Sequence, residues 1–162
     1  MIKLIHGADF HLDSPFSGLA PDQAAQRRRE QRELLARLAR LARDRQTDLV
    51  LLAGDLLDGR QTYRETAQAL AQTLGEIPCP VLIAPGNHDP YTAKSLYAAL
   101  DWPDNVHIFS TEAPQCVEFP ALKCAVWGNA FTAPHREDDP LAGFRAQAPE
   151  GWTKLAVLHG EV

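Results

Sequence analysis

Four places in this 162-residue chain set acidic, amide or imidazole side chains just after a short apolar run. Residues 2–5 lead to Asp9 and His11, and Leu49–Ala53 leads to "GDLLD", which holds Asp55 and Asp58. Val81–Ala84 leads to "PGNHDP", residues 85–90, with Asn87, His88 and Asp89; residues 155–158 lead to His159. Gly, Asn and Pro suit a turn, but a turn does not need His and Asp as well. Carboxylate, amide and imidazole donors without thiolate suit manganese, iron or zinc better than a soft metal. Asp9 and His11 are two apart, so in extended backbone they project to one side and can grip one ion. Asp55 follows Gly54, which lets the chain turn sharply and brings the carboxylate close. One carboxylate can bridge two ions, and two ions about 3.5–4 Å apart can activate water and hold phosphoryl oxygens.

The elements that must position these groups follow from hydrophobic patterning. The four apolar runs are short and nearly unbroken, as expected for strands buried on both faces of a sheet. Between the first two, residues 22–45 carry helical spacing, with Leu34, Leu35, Leu38, Leu41 and Ala42 read as one face. A second helix is predicted over residues 63–74, with Gly75 placed to end it, and a weaker one over residues 92–100. This β-α-β-α-β-α order predicts an α/β protein built on parallel strands. Ligands then gather at the carboxyl ends of the strands, and four polar clusters on one edge make a site. After residue 105 the pattern changes: residues 106–109, 116–119 and 122–127 read as short strands of a more antiparallel stretch. Residues 132–152, rich in Pro, Gly and acids, read as a surface connection.

Composition narrows the class. Apolar residues make up 45% and charged residues 23%, ordinary for a globular domain, and no apolar run approaches the roughly 20 residues of a membrane span. The N-terminus lacks a signal-peptide layout, and Cys79, Cys116 and Cys124 have no CxxC spacing, so they read as reduced thiols and the expected location is cytoplasmic. A net charge of −5 argues against a generally basic, DNA-coating surface. Eight of the sixteen basic residues are Arg within residues 27–45, yet Arg29, Arg37, Arg40 and Arg43 lie opposite the Leu face and Glu33 precedes Arg37 by four. They read as a solvated helix face. Asp58 and Asp89 read as turn or helix caps, and His6, His107 and His135 as structural. Trp127, Phe144 and Trp152 read as packing residues, not base-stacking ones.

In order along the chain, "DFH", "GDLLD", "GNHD" and a later strand ending "LHG" resemble the motifs of the calcineurin-like metallophosphoesterase superfamily. Within it, "HGADFHLDSPFSGL" resembles the opening of the SbcD-like DNA-repair exonucleases, especially their YhaO-type relatives. The resemblance covers most of the chain and is specific as a set, whereas "GD" alone is weak. It implies a sandwich of two mixed β-sheets flanked by helices, here truncated, and two divalent ions, manganese foremost. It implies that Asp9 and His11 hold the first ion, that Asp55 bridges both, and that Asn87 and His159 hold the second. His88 is then not a ligand but a catalytic group beside the scissile phosphate, stabilising charge or protonating the leaving group. The implied reaction is metal-dependent hydrolysis of DNA phosphodiesters, alongside a coiled-coil ATPase partner.

The family's last motif, Gly-His-x-His, has no counterpart here. Residues 1–162 are accordingly expected to be the N-terminal portion of a metallophosphoesterase domain, of low activity by itself, with uncovered apolar surface favouring a homodimer. Two other readings stand beside the nuclease. One is a phosphatase or cyclic-nucleotide phosphodiesterase on the same fold; the other is a non-catalytic DNA-binding or scaffold subunit.

Overall fold

The computed structural model describes residues 1–59 and 62–160. Among these, four strands form a parallel sheet in the order β1 (Leu4–Gly7), β2 (Leu49–Ala53), β3 (Val81–Ala84), β4 (Val106–Ile108). A second sheet orders β5 (Gln115–Phe119), β6 (Cys124–Gly128) and β7 (Thr153–Val157), antiparallel between the first two and parallel between the last two. The helices are α1 (Pro21–Arg45), α2 (Arg64–Gly75) and the short α3 (Leu96–Ala99).

The two central strands show why this is a sandwich. Val50 and Leu52 of β2, with Val81 and Ile83 of β3, pack among Leu35, Leu38, Leu70 and Leu74 of α1 and α2. The alternate residues Leu49, Leu51, Ala53, Leu82 and Ala84 pack instead on Phe109, Val126 and Val157 at the second sheet. Side chains of a strand alternate between faces, so unbroken apolar runs serve helices on one side and a sheet on the other.

Several expectations are corrected. The first strand begins at Leu4, not at residue 2, because its pairing starts at Leu4 opposite Leu49. As an edge strand it is only half covered, and Leu4 is 41% exposed. The strand after residue 105 is not part of the antiparallel stretch: β4 pairs parallel with β3. The run before His159 forms β7 in the second sheet, beside β6, so it is not a neighbour of the other three strands that carry site residues. On α1 the buried stripe is Leu35, Leu38, Ala39 and Ala42, while Leu34 and Leu41 are 44% and 43% exposed. The i, i+3, i+4, i+7 spacing fits one stripe, and two flanking leucines fall outside it. The arginine face is solvated as expected, with Arg27, Arg32, Arg37 and Arg43 paired to Glu30, Asp13, Glu33 and Glu76. All three cysteines are free thiols. Among the described residues no helix is long and apolar enough to cross a membrane.

Candidate metal centre

Three loops at the carboxyl ends of β1, β2 and β3 meet a fourth segment that follows β7. The β1 loop is held to the β2 loop by backbone bonds: the N–H groups of Asp9, His11 and Leu12 donate to the carbonyls of Gly54, Asp55 and Leu56 at 3.0, 2.9 and 2.9 Å. Asp9 and His11 are not extended, as the spacing argument assumed; both are left-handed, with φ of 57° and 44°. Asp55 is left-handed as well (φ 53°), directly after Gly54 (φ 73°). Such conformations cost about 1–3 kcal/mol each for non-glycine residues and gather at functional sites.

Left-handed turns still bring the side chains together. Oδ1 of Asp9 lies 3.9 Å from Nε2 of His11, which lies 3.7 Å from Oδ2 of Asp55. The same Asp55 oxygen lies 3.4 Å from Nε2 of His159, and that nitrogen is 3.0 Å from Oδ1 of Asn87. Metal–ligand bonds to such donors are about 2.1 Å, so two donors on one ion stand no more than about 4.2 Å apart. Asp9, His11 and Asp55 are thus close enough to share an ion, and the contacts of His159 with Asp55 and Asn87 fall within the same span. The groups line an open cavity of about 500 Å³, together with His88.

Glycines make the approach feasible. A methyl group on Gly54 would meet the His159 ring, and one on Gly86 would meet the Asp55 carboxylate. The other Asp55 oxygen accepts the His88 N–H at 3.0 Å, which ties the "GD" turn to the "GNHD" turn.

Electrostatics match a site built for positive charge. The Asp55 hydrogen bond lifts the His159 imidazole to a pKa of about 9; burial opposes this, and the Ala53 carbonyl, 2.9 Å from Nδ1, reinforces it. With Nδ1 held by that carbonyl, Nε2 is the ring atom that faces Asp55 and Asn87. Burial pushes the Asp55 carboxyl up, but hydrogen bonds from His159 and the His88 N–H outweigh it and hold it below its ordinary value.

His88 is exposed at the cavity, its ring 4.9 Å from that of His11 in an edge-on arrangement. Asp58, read from sequence as a cap, belongs to this centre. Its Oδ1 lies 3.5 Å from Nδ1 of His11 and 3.3 Å from Nδ1 of His88, so it stands beside both rings, and these three side chains form a second group close enough to share an ion. Its position three residues after Asp55, across the buried pair Leu56 and Leu57, was the available signal. Asp89 is a buried acceptor of backbone N–H groups, in line with the capping reading. His6, taken as structural, lines the cavity too. His107 packs edge-on against Phe109, and Trp127 against Phe144, as structural residues do.

Helices thus cover one face of the parallel sheet and the second sheet the other, with Asp, Asn and His gathered beyond the strand ends. The sequence profile of the calcineurin-like phosphoesterase family matches residues 2–145, and the chain belongs to that family. It is similar to the metallophosphoesterase YhaO of Bacillus subtilis (strain 168), 29% identical over 98% of this chain and 40% of the relative. It is also similar to the SbcD component of the SbcCD nuclease of Bacillus subtilis (strain 168), 26% identical over 74% of this chain and 31% of that protein. The same component in Staphylococcus saprophyticus is 29% identical over 67% of this chain and 28% of its own length. The chain thus spans less than half the length of these curated relatives.

Proposed function

We propose that this chain is the N-terminal portion, residues 1–162, of a DNA-directed phosphodiesterase domain that works with two divalent cations, manganese foremost. The observation that carries this reading is the Asp55 carboxylate oxygen, within 3.7 Å of His11 Nε2 and 3.4 Å of His159 Nε2, one shared acceptor between two donor sets. Asp9, His11 and Asp55 would hold one ion, and Asp55, Asn87 and His159 the other. Bound there, the ions supply Lewis acidity for a phosphoryl group and lower the pKa of water.

The chain's own residues do the rest. Asp55 stays ionised at neutral pH and neutralises positive charge at the centre. Asp58 holds the Nδ1 side of His88, which leaves Nε2 to meet a phosphoryl or leaving-group oxygen. His88 is then the group that stabilises developing charge or delivers a proton to the departing oxygen. DNA as substrate is favoured by the similarity to nuclease components; a cytoplasmic protein, a coiled-coil ATPase partner and self-association into a homodimer belong to the same reading.

The test pairs calorimetric titration of manganese with hydrolysis of linear duplex DNA and of p-nitrophenyl phosphate. Two bound ions and slow, manganese-dependent loss of DNA ends are expected. Preferential hydrolysis of the monoester would make the protein a phosphatase, and DNA binding with no turnover in a longer chain that carries Gly-His-x-His would make it a scaffold.

A further inference from the structure

Asp89 carries more hydrogen bonds than any turn requires. Its Oδ1 accepts the N–H of Gly86 at 2.8 Å and of Asp55 at 3.1 Å. Its Oδ2 accepts the N–H of Leu56 at 2.8 Å, the N–H of Leu57 at 3.1 Å and the phenol O–H of Tyr97 at 2.6 Å. Five donors saturate a carboxylate, which offers about four lone-pair sites, so nothing is left for a cation. Asp89 is therefore not a ligand, although it sits two residues from Asn87. Three of the donors belong to the "GD" turn and one to the "GNHD" turn, the two turns that carry Asp55, Asn87 and His88.

The fifth donor comes from farther along the chain. Tyr97 lies on α3 and is 4% exposed, and Asp89 is 6% exposed. Trp102 fixes Tyr97 from behind, donating its indole N–H to the Tyr97 carbonyl at 3.1 Å with the rings 5.6 Å apart. Backbone torsion at Asp55 is left-handed and would relax if its N–H and the two that follow lost their acceptor.

We propose that Tyr97 and Asp89 form a buried strut that sets the "GD" turn against the "GNHD" turn and thereby fixes the Asp55 carboxylate between the two candidate cation positions. Both are positioning residues. The proposal rests on the metal-centre reading for its consequence, but not for its geometry.

The experiment uses the whole chain and two variants, Asp89→Asn and Tyr97→Phe, with Leu70→Ala as a control that loosens the same core but whose side chain gives no hydrogen bond to either turn. Amide hydrogen exchange in metal-free protein reads the strut directly, and manganese titration reads its consequence. In both variants the amides of Asp55, Leu56 and Leu57 are expected to exchange at least about tenfold faster, and manganese to bind about 10- to 100-fold more weakly, the range for groups that orient ligands. Leu70→Ala should lower Tm yet bind manganese as the unaltered chain does. If Asp89→Asn does not fold, Tyr97→Phe carries the test, since it removes one oxygen only. Unchanged exchange and affinity in Tyr97→Phe overturn the proposal, as does an equal loss of affinity in Leu70→Ala. An unaltered chain that binds no manganese overturns the metal-centre reading, while exchange still decides whether the strut exists.

Discussion

Oδ2 of Asp55 stands 3.4 Å from Nε2 of His159, although one residue follows a strand of the parallel sheet and the other a strand of the second sheet. The candidate centre is thus a joint between the two layers of the sandwich. Its integrity depends on how the sheets face each other through Leu51, Ala84 and Val157.

A carboxylate shared between two cations is held ionised by both, and its loss weakens both positions together. Asp55→Asn is expected to lower manganese affinity at each position, read by calorimetry as loss of both binding steps. Asp58→Asn should cost less, because Asp58 stands beside His11 and His88 and not between the two donor sets. Equal losses in the two variants would remove the bridging assignment.

His88→Gln should keep metal content near that of the unaltered chain and lower turnover of a complete domain by roughly 10²-fold or more, the scale of acid–base or charge-stabilising groups. Metal content measured by atomic emission, beside DNA hydrolysis, checks this. Metal lost in parallel with activity would make His88 a ligand.

Gly86→Ala would drive a methyl into the Asp55 carboxylate, with the Asp55 nitrogen only 2.7 Å away. The expected outcome is a lower Tm and weaker manganese binding. Gly18→Ala, where nothing lies within 4 Å of the added carbon, should leave both unchanged. Thermal melts with and without manganese separate the two.

Cation binding to the folded state alone stabilises it by mass action. At manganese concentrations about a hundred times Kd the gain is about 2.7 kcal/mol, visible as a raised Tm that a chelator reverses. Asp55→Asn should show little of this rise.

The register of α1 is open to a direct check. Leu38 is buried in the helix-side core, so Leu38→Ala should cost about 2–5 kcal/mol in chemical denaturation. Leu41, three residues on, is 43% exposed, and Leu41→Ala should change stability by no more than about 0.5 kcal/mol.

Much of this was legible in the chain itself. The spans of β2 and β3, and the start and end of α1 to within a residue, follow from local pattern, as does the placing of Asp9, His11, Asp55, Asn87 and His159 just after short apolar runs. Apolar runs and turn residues act over a few neighbours, so a linear reading captures them. What tertiary structure alone decided involves partners distant in sequence. Residues 106–108 are equally apolar whether they join a parallel or an antiparallel sheet, and only their pairing with β3 placed them in the first. His159 reaches Asp55 from the opposite layer, a convergence no spacing encodes. Leu34 and Leu41 satisfy helical periodicity as well as Leu38 does, but a stripe of finite width meets the sheet, and burial goes only to the residues inside it. Asp58 and Asp89 look alike as turn acids. One faces two imidazoles and the other five N–H and O–H donors, because a carboxylate's role is set by the groups that surround it, and those groups arrive only when the chain folds.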